Sequence, residues 1–375
     1  MTLLARTEPT LPSAWYYDPE QYTRELEAIW YRDWICVGRQ EDLARPGDYV
    51  LAEIGNERLI LTRDTLGRPR AFHNTCRHRG TVLCTTSRGH FANNRIVCPY
   101  HGWTYSLDGE LLATPIRTEV EDFRREDYRL YEARVDSWGG FLFVNLSEAP
   151  AEPLCDFLGS EARNVAPWPL ADLVSVQRDR STLACNWKVF WENYSECYHC
   201  ARIHPELCRL VPIYREGVLS YADRPSATSP DPADDPRPRV APGMLTWTRD
   251  GRTTLPFIEG PDDASRALGM VFASFTANLY VVAHPDYVRS VRVAPKSPES
   301  IELTVDWLLP RGVAESHPDD IEHMLELGRL VIAQDGRVCE LNQQGLRSRR
   351  HRHGVLVPQE HAVWQFHQWL RARLA

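Results

Sequence analysis

Two short motifs constrain the fold of this chain more than any other feature. HNTCRHRG carries Cys76 and His78 as Cys-x-His, VCPYHGWTY carries Cys98 and His101 as Cys-x-x-His, and residues 79–97 separate the two pairs. Two thiols and two imidazoles in this spacing point to one metal centre held between paired loops, so the flanking chain has to bring those loops side by side. Zinc accepts such a ligand set tetrahedrally. A [2Fe-2S] cluster accepts it too, with two histidines replacing two cysteines on one iron and raising its potential. Gly80 and Gly102 follow the two pairs and permit tight turns that aim backbone N–H groups at a sulfur-bearing centre. Tyr100 and Trp103 supply an O–H and an apolar cover, which tune such a centre through hydrogen bonding and burial. Cys84 lies between the loops, outside the ligand spacing, and reads as a core thiol.

Composition narrows the class further. The 375 residues include 10 cysteines, and Met1–Thr10 holds no apolar stretch of signal-peptide length; the thiols are therefore expected reduced or metal-bound rather than as a disulfide scaffold. No segment approaches a membrane span of roughly 20 apolar residues, so a cytoplasmic protein without a membrane partner is expected. A formal charge of -8 argues against nucleic acid as a ligand.

Asp18 to Trp34 opens the chain with apolar residues at helical spacing behind an Asp-Pro start. Short alternating runs follow at Asp48 to Ile54, Arg58 to Arg63 and Arg95 to Tyr100, then a buried strand at Phe141 to Val144. Beyond the prolines that begin at Pro150, helix is expected at about Trp187 to Ile203 and Asp319 to Leu346. Strands are expected at about Leu279 to Val282, Val288 to Val293 and Ile301 to Leu309. Arg224 to Gly243 is rich in Pro, Asp and Ser and reads as a loop with lid potential. The class is α+β: an N-terminal helical segment over 1–40, a small all-β domain over 41–150, and a second domain over 151–375 with an antiparallel sheet flanked by helices.

NWKVFWENYSECYHCARIHPEL holds a second constellation. Asn193, Glu196 and His199 recur at steps of three, which predicts one helical stripe. Pro205 disfavours helical geometry at His204, so the chain can turn there and present His204 beside His199. Cys197, Cys200 and Cys208 leave ordinary core thiols, a redox Cys-x-x-Cys or a zinc site open. Two histidines can share one ion with a carboxylate, which would have to come from elsewhere in the chain. Asp335 is a candidate carboxylate because it falls on an otherwise largely apolar stripe with Val331 and Val338, where an unpaired charge is costly. Glu340 is its rival, on another face.

Cys-x-His-Arg-Gly followed by Cys-Pro-Tyr-His-Gly-Trp resembles the Rieske cluster motif of ring-hydroxylating oxygenases, and Asn-x-x-Glu-x-x-His-x4-His resembles their mononuclear iron motif. Asp335, Cys339-Glu340, Gln343 and Gly345-Leu346 resemble their C-terminal ligand motif. The likeness spans nearly the whole chain, including HPDYVRSV at His284 to Val291 and GVLVPQEHAVWQFHQWL at Gly354 to Leu370. It implies a [2Fe-2S] cluster on Cys76, His78, Cys98 and His101, and Fe(II) on His199, His204 and Asp335. It also implies O₂ as oxidant, NAD(P)H electrons from a separate flavin-containing reductase or a ferredoxin, and a homotrimer in which one subunit's cluster serves its neighbour's iron. Glu196 matches the carboxylate that links the two centres, and Glu within Glu-Cys-Tyr-His-Cys resembles the branch oxidising choline, glycine betaine and carnitine. Ala277 before Asn278 departs from the Pro common in relatives. The activity implied is hydroxylation or oxidative N-demethylation of a small organic substrate. Cis-dihydroxylation of an aromatic ring remains the alternative within the family; a Rieske electron carrier and a zinc protein remain alternatives outside it. Trp247, Phe257, Phe272, Phe275 and Tyr280 are candidate pocket aromatics, able to meet a cation or a ring.

Overall fold

The computed structural model describes residues 3–115, 121–223 and 235–375. The chain divides into two compact units, Ile29–Leu158 and the combination of Met1–Ala28 with Gly159–Ala375. These divisions differ from the expected 40/41 and 150/151. The physical reason at the first is that Ile35–Arg39 pairs with Phe141–Asn145, so it belongs to the small sheet rather than to the N-terminal segment. The opening helix is also shorter than expected. Pro19–Glu25 is α-helical with the Asp18 carboxylate accepting from Glu20 N–H, and Leu26–Trp30 continues as a π-turn.

In the smaller unit a seven-stranded antiparallel sheet runs in the order Ile35–Arg39, Phe141–Asn145, Glu132–Trp138, Pro69–His73, Glu57–Arg63, Asp48–Ile54, Arg88–His90. A second sheet of Arg95–Val97, Thr104–Ser106 and Leu111–Ala113 packs with it around Ile60, Phe72, Ile96, Tyr105 and Leu111. The strand expected to reach Tyr100 stops at Val97, because the Cys98 N–H turns back to Trp103 O at 2.8 Å.

The larger unit is built on a five-stranded antiparallel sheet, ordered Leu173–Leu183, Ser300–Pro310, Val288–Ser297, Leu279–Ala283, Val271–Phe275. Leu279–Ala283 is buried along its whole length, which explains why it reads as a continuous apolar run rather than an alternating one. Helices Trp187–Tyr194 and Ile321–Leu346 pack with this sheet, and Asn186 caps the first by accepting from Lys188 N–H. Lys188 and Glu25 form a fully buried ion pair at 2.7 Å, which ties the opening helix to this unit. Of the expected loop at Arg224 to Gly243, residues 224–234 lie outside the described residues. Residues 235–243 carry neither helix nor strand.

Candidate metal centres

The two Cys/His loops are near copies of one another. In the first, Cys76 N–H donates to Thr81 O and Gly80 N–H to Cys76 O; in the second, Cys98 N–H donates to Trp103 O and Gly102 N–H to Cys98 O. Both glycines are left-handed, with φ of 73° at Gly80 and 67° at Gly102, a region that a Cβ disfavours. A Cβ on Gly102 would also press on Pro115 Cγ at 3.0 Å. Each loop therefore closes on its own cysteine and points the next residues at the other loop.

Cys76 and Cys98 are buried, 3% exposed each, and their thiols meet. His78 and His101 are exposed, with their Nδ1 atoms 3.2 Å apart. Two thiols on the inner side and two imidazoles on the outer side suit a cluster whose one iron takes sulfur and whose other takes nitrogen. Trp103 stacks on His78 at 4.8 Å and Tyr100 on His101 at 3.7 Å. The hydroxyl aimed at sulfur, however, belongs to Tyr105 rather than Tyr100. Tyr105 Oη lies 3.3 Å from Cys76 Sγ and accepts from Arg77 N–H at 3.2 Å. Sequence reasoning missed it because Tyr105 follows the loop, on strand Thr104–Ser106, and only hairpin pairing turns it inward. Cys84 is a buried free thiol in the core beneath.

The second constellation departs from the helical stripe that its spacing predicts. Helix Trp187–Tyr194 ends with Ser195, whose hydroxyl donates to Trp191 O at 2.7 Å. Glu196 then lies in irregular chain just beyond the helix, and its carboxylate accepts from the N–H groups of Tyr198 and His199. This local bonding competes with helix continuation. A short helix, Cys200–Ile203, leads to His204, which takes φ -121° and ψ 62° ahead of Pro205. That break returns His204 beside His199, with the two Nε2 atoms 3.2 Å apart.

Asp335 arrives from helix Ile321–Leu346. Its Oδ1 is 2.8 Å from His204 Nε2 and 3.4 Å from His199 Nε2. Among the described residues, His199, His204 and Asp335 form the one group of three potential donors within 4.8 Å of one another. Ligand bonds of about 2.1 Å at right angles place neighbouring donors about 3.0 Å apart, so these three atoms are spaced like one face of an ion's coordination shell. Glu340 is elsewhere, accepting from Ala184 N–H at 3.0 Å.

The remaining ring nitrogens complete the arrangement. His199 Nδ1–H donates to Glu196 Oε1 at 2.6 Å, and His204 Nδ1–H donates to Gln334 Oε1 at 2.8 Å. Each bond fixes the tautomer that leaves Nε2 as a lone pair, the usual outer support of a metal-binding histidine. Gln334 is in turn 3.4 Å from Glu206 Oε2. Neither Gln334 nor Glu206 stands out in the sequence; the one signal is that Gln334 precedes Asp335. Asn193 Nδ2 lies 3.5 Å from His199 Nε2. Burial opposes protonation of His199, but hydrogen bonds and charge from Asp335 and Glu196 prevail and raise its pKa to about 9. Burial likewise opposes ionisation of Asp335, and bonds from His199 and His204 hold its carboxyl below the ordinary value. A metal held between these three atoms would displace the proton that His199 otherwise takes up.

The folded domains have counterparts among known proteins. Residues 33–124 match the Rieske [2Fe-2S] domain, and residues 170–375 match the ring hydroxylating alpha subunit (catalytic domain). The chain belongs to the ring-hydroxylating alpha subunits. This Rieske oxygenase is 31% identical over 369 residues to the glycine betaine monooxygenase oxygenase subunit of Chromohalobacter salexigens, covering 90% of this chain and 80% of that one. It is 28% identical over 372 residues to the chloroplastic choline monooxygenase of Beta vulgaris, covering 97% and 77%. Its fold matches the quaternary ammonium Rieske monooxygenase CntA in complex with L-carnitine, with a TM-score of 0.73 at 24% identity, covering 99% of this chain and 97% of that one.

The cofactors of this Rieske oxygenase are a [2Fe-2S] cluster and a non-haem iron, its oxidant is O₂, and its electrons come from NAD(P)H through a separate reductase. An isolated electron carrier and a zinc protein are set aside, since neither accounts for a catalytic domain over residues 170–375. No described helix is long and apolar enough to cross a membrane.

Proposed function

We propose that this Rieske oxygenase hydroxylates an N-methyl group of a small quaternary ammonium compound: one atom of O₂ enters a methyl C–H bond, the other becomes water with two reductase electrons and two protons, and the methyl carbon then leaves nitrogen as formaldehyde. The ligand assignment is Cys76, Cys98, His78 and His101 for the cluster, and His199, His204 and Asp335 for iron. The observation that carries it is the convergence of His199 Nε2, His204 Nε2 and Asp335 Oδ1, with both outer ring nitrogens already engaged. When bound, the two centres supply electron storage and O₂ activation; the chain's own side chains do the rest. Trp191, Tyr194 and Tyr280 form an aromatic group, with Trp191 stacked on Tyr280 at a ring-centroid distance of 4.4 Å and Tyr194 tilted against Tyr280 at 3.7 Å. Tyr194 and Tyr280 both feel the Asp335 charge. Aromatic faces next to a carboxylate suit an onium group that cannot donate a hydrogen bond. Trp247 and Phe275 are buried, whereas Phe257 is exposed and is not assigned to the pocket.

Glu196 is assigned as the bridge between centres. It already holds His199 Nδ1–H, and it borders a cleft of about 400 Å³ that Glu192, Asn193 and Glu360 also line. Through that cleft a neighbouring copy's His101 would donate its remaining ring N–H to the same carboxylate, as a homotrimer provides. Inter-subunit electron transfer is described for a quaternary ammonium Rieske monooxygenase of this fold. A flavin-containing reductase is the assigned electron donor, in the cytoplasm with the enzyme. The test is turnover with a surrogate reductase on glycine betaine, choline and carnitine, with formaldehyde measured against O₂ consumed. Stoichiometric formaldehyde from one of them is expected. A cis-diol from an aromatic, with no formaldehyde from any of the three, would overturn the reading.

A further inference from the structure

Among the described residues, Arg289 is a buried cation without a counter-charge. It stands on strand Val288–Ser297 opposite Trp307 and Val282, and is 2% exposed. Its Nε and Nη1 have no hydrogen-bond partner, and among the described residues no carboxylate forms an ion pair with it. Asp306 holds Arg178 and Arg292; Asp286 Oδ1 accepts from Thr246 at 2.5 Å, its Oδ2 has no hydrogen-bond partner among the described residues, and burial pushes its carboxyl up, towards the neutral form. His284 is neutral, driven down to about 3 by burial and then by Arg289 itself. Burial also pushes up the Tyr194, Tyr214 and Tyr287 hydroxyls and outweighs the opposing pull of the guanidinium, so none is an anion; the Tyr287 hydroxyl donates to Trp247 O.

The fold makes room for this charge rather than excluding it. Gly328 lies on the helix that carries Asp335, and a Cβ there would meet Trp307 at 2.3 Å and Arg289 Nη1 at 3.0 Å. The Trp247 and Trp307 rings lie 5.4 and 5.8 Å from the guanidinium carbon, giving it aromatic faces but no negative charge. An unpaired buried cation is costly unless an anion joins it. Arg289 also shares a sheet face with Tyr280, through the register Tyr280↔Val291 and Val282↔Arg289. Tyr194 feels both Arg289 and Asp335, so the guanidinium and the iron-binding carboxylate act on one aromatic group.

We propose that Arg289 binds the carboxylate of a zwitterionic substrate, a short chain with trimethylammonium at one end and carboxylate at the other. The ammonium end then lies against Tyr194 and Tyr280 towards His199, His204 and Asp335, and the planar guanidinium fork meets the carboxylate. This rests on the quaternary ammonium reading above and selects betaine-like compounds over choline.

The test is calorimetric binding to the metal-loaded full chain, with glycine betaine, choline and benzoate as probes, for wild type, R289M and R289K. Glycine betaine is expected to bind about 30-fold or more tighter than choline, and R289M to remove that preference by weakening glycine betaine alone. R289K should retain part of it. Because the empty protein carries an unpaired charge, R289M should also raise the ligand-free Tm by about 2–4 °C; a purely structural arginine would lower it. Glycine betaine and choline binding alike, with R289M without effect, would overturn the proposal and leave the quaternary ammonium reading standing. Arg289-dependent binding of benzoate without glycine betaine would retain the carboxylate site and overturn the quaternary ammonium reading. Binding of none of the three would overturn both. If R289M fails to fold, R289K decides: an unchanged glycine betaine preference in that variant counts against the site.

Discussion

The two metal centres are built by opposite strategies. The residues proposed for the cluster, Cys76, His78, Cys98 and His101, come from two loops that each close on their own cysteine, with both histidines exposed. The residues proposed for iron, His199 and His204, meet Asp335 from a helix 131 residues beyond His204, and His204 is 1% exposed. The first centre depends on local backbone closure. The second depends on packing of a helix against a broken helix, and on outer partners, Glu196 and Gln334, that hold each imidazole. Damage at the iron site should therefore spread through its partners while leaving the cluster loops intact.

The largest effect expected is from Asp335→Ala. It removes one of three donors and leaves two imidazoles without their shared anion. Turnover should fall by more than the roughly 100-fold typical of losing an outer partner, mononuclear iron should be absent by metal analysis, and the cluster absorption should be unchanged. Loss of the cluster spectrum in that variant would break the proposed independence of the two centres. Glu196→Gln comes next, with turnover lowered about 10–100-fold while both metals stay bound. Wild-type rates of substrate oxidation by the pre-reduced variant would remove Glu196 from the electron path.

At the cluster, Tyr105→Phe deletes the hydroxyl that faces Cys76 Sγ at 3.3 Å. A hydrogen bond of about 1 kcal/mol corresponds to roughly 40 mV for one electron, so a fall in potential of that order is expected by spectroelectrochemical titration. An unchanged potential would show that the Tyr105 contact with Cys76 is only packing. The smallest effect concerns pH. With His199 raised to about 9 in the metal-free protein, its protonated form contributes stability that is fully present below the unfolded value of about 6.5 and is lost as pH rises through 9. Metal-free protein should therefore lose Tm between those limits, whereas iron-loaded protein should not, since the ion has displaced that proton. Equal pH dependence with and without iron would contradict the assignment of His199 to the ion.

The contrast also governs how much could be read without the fold. The cluster loops are legible because each is a local structure: a cysteine, a glycine four residues later and a histidine between them are enough to define the turn. The break at His204 is legible for the same reason, since Pro205 acts on the residue before it. The stripe Asn193, Glu196, His199 misleads. Periodicity cannot show that the Glu196 carboxylate captures two backbone N–H groups and ends the helix early.

What the sequence alone determined is the inventory of donors and the class of chemistry they suit, because thiol, imidazole and proline act over a few bonds. Only the tertiary structure decided which carboxylate faces the histidines. Asp335 and Glu340 are close on one helix, yet packing turns the first to His204 and the second to Ala184 N–H. Packing likewise decided that Tyr105 rather than Tyr100 meets sulfur, and that Arg289 is buried without an anion among the described residues. The physical reason is common to all three. The interaction energy of a side chain depends on what lies within a few ångströms, and for these residues that neighbour is set by strand register and helix packing far along the chain.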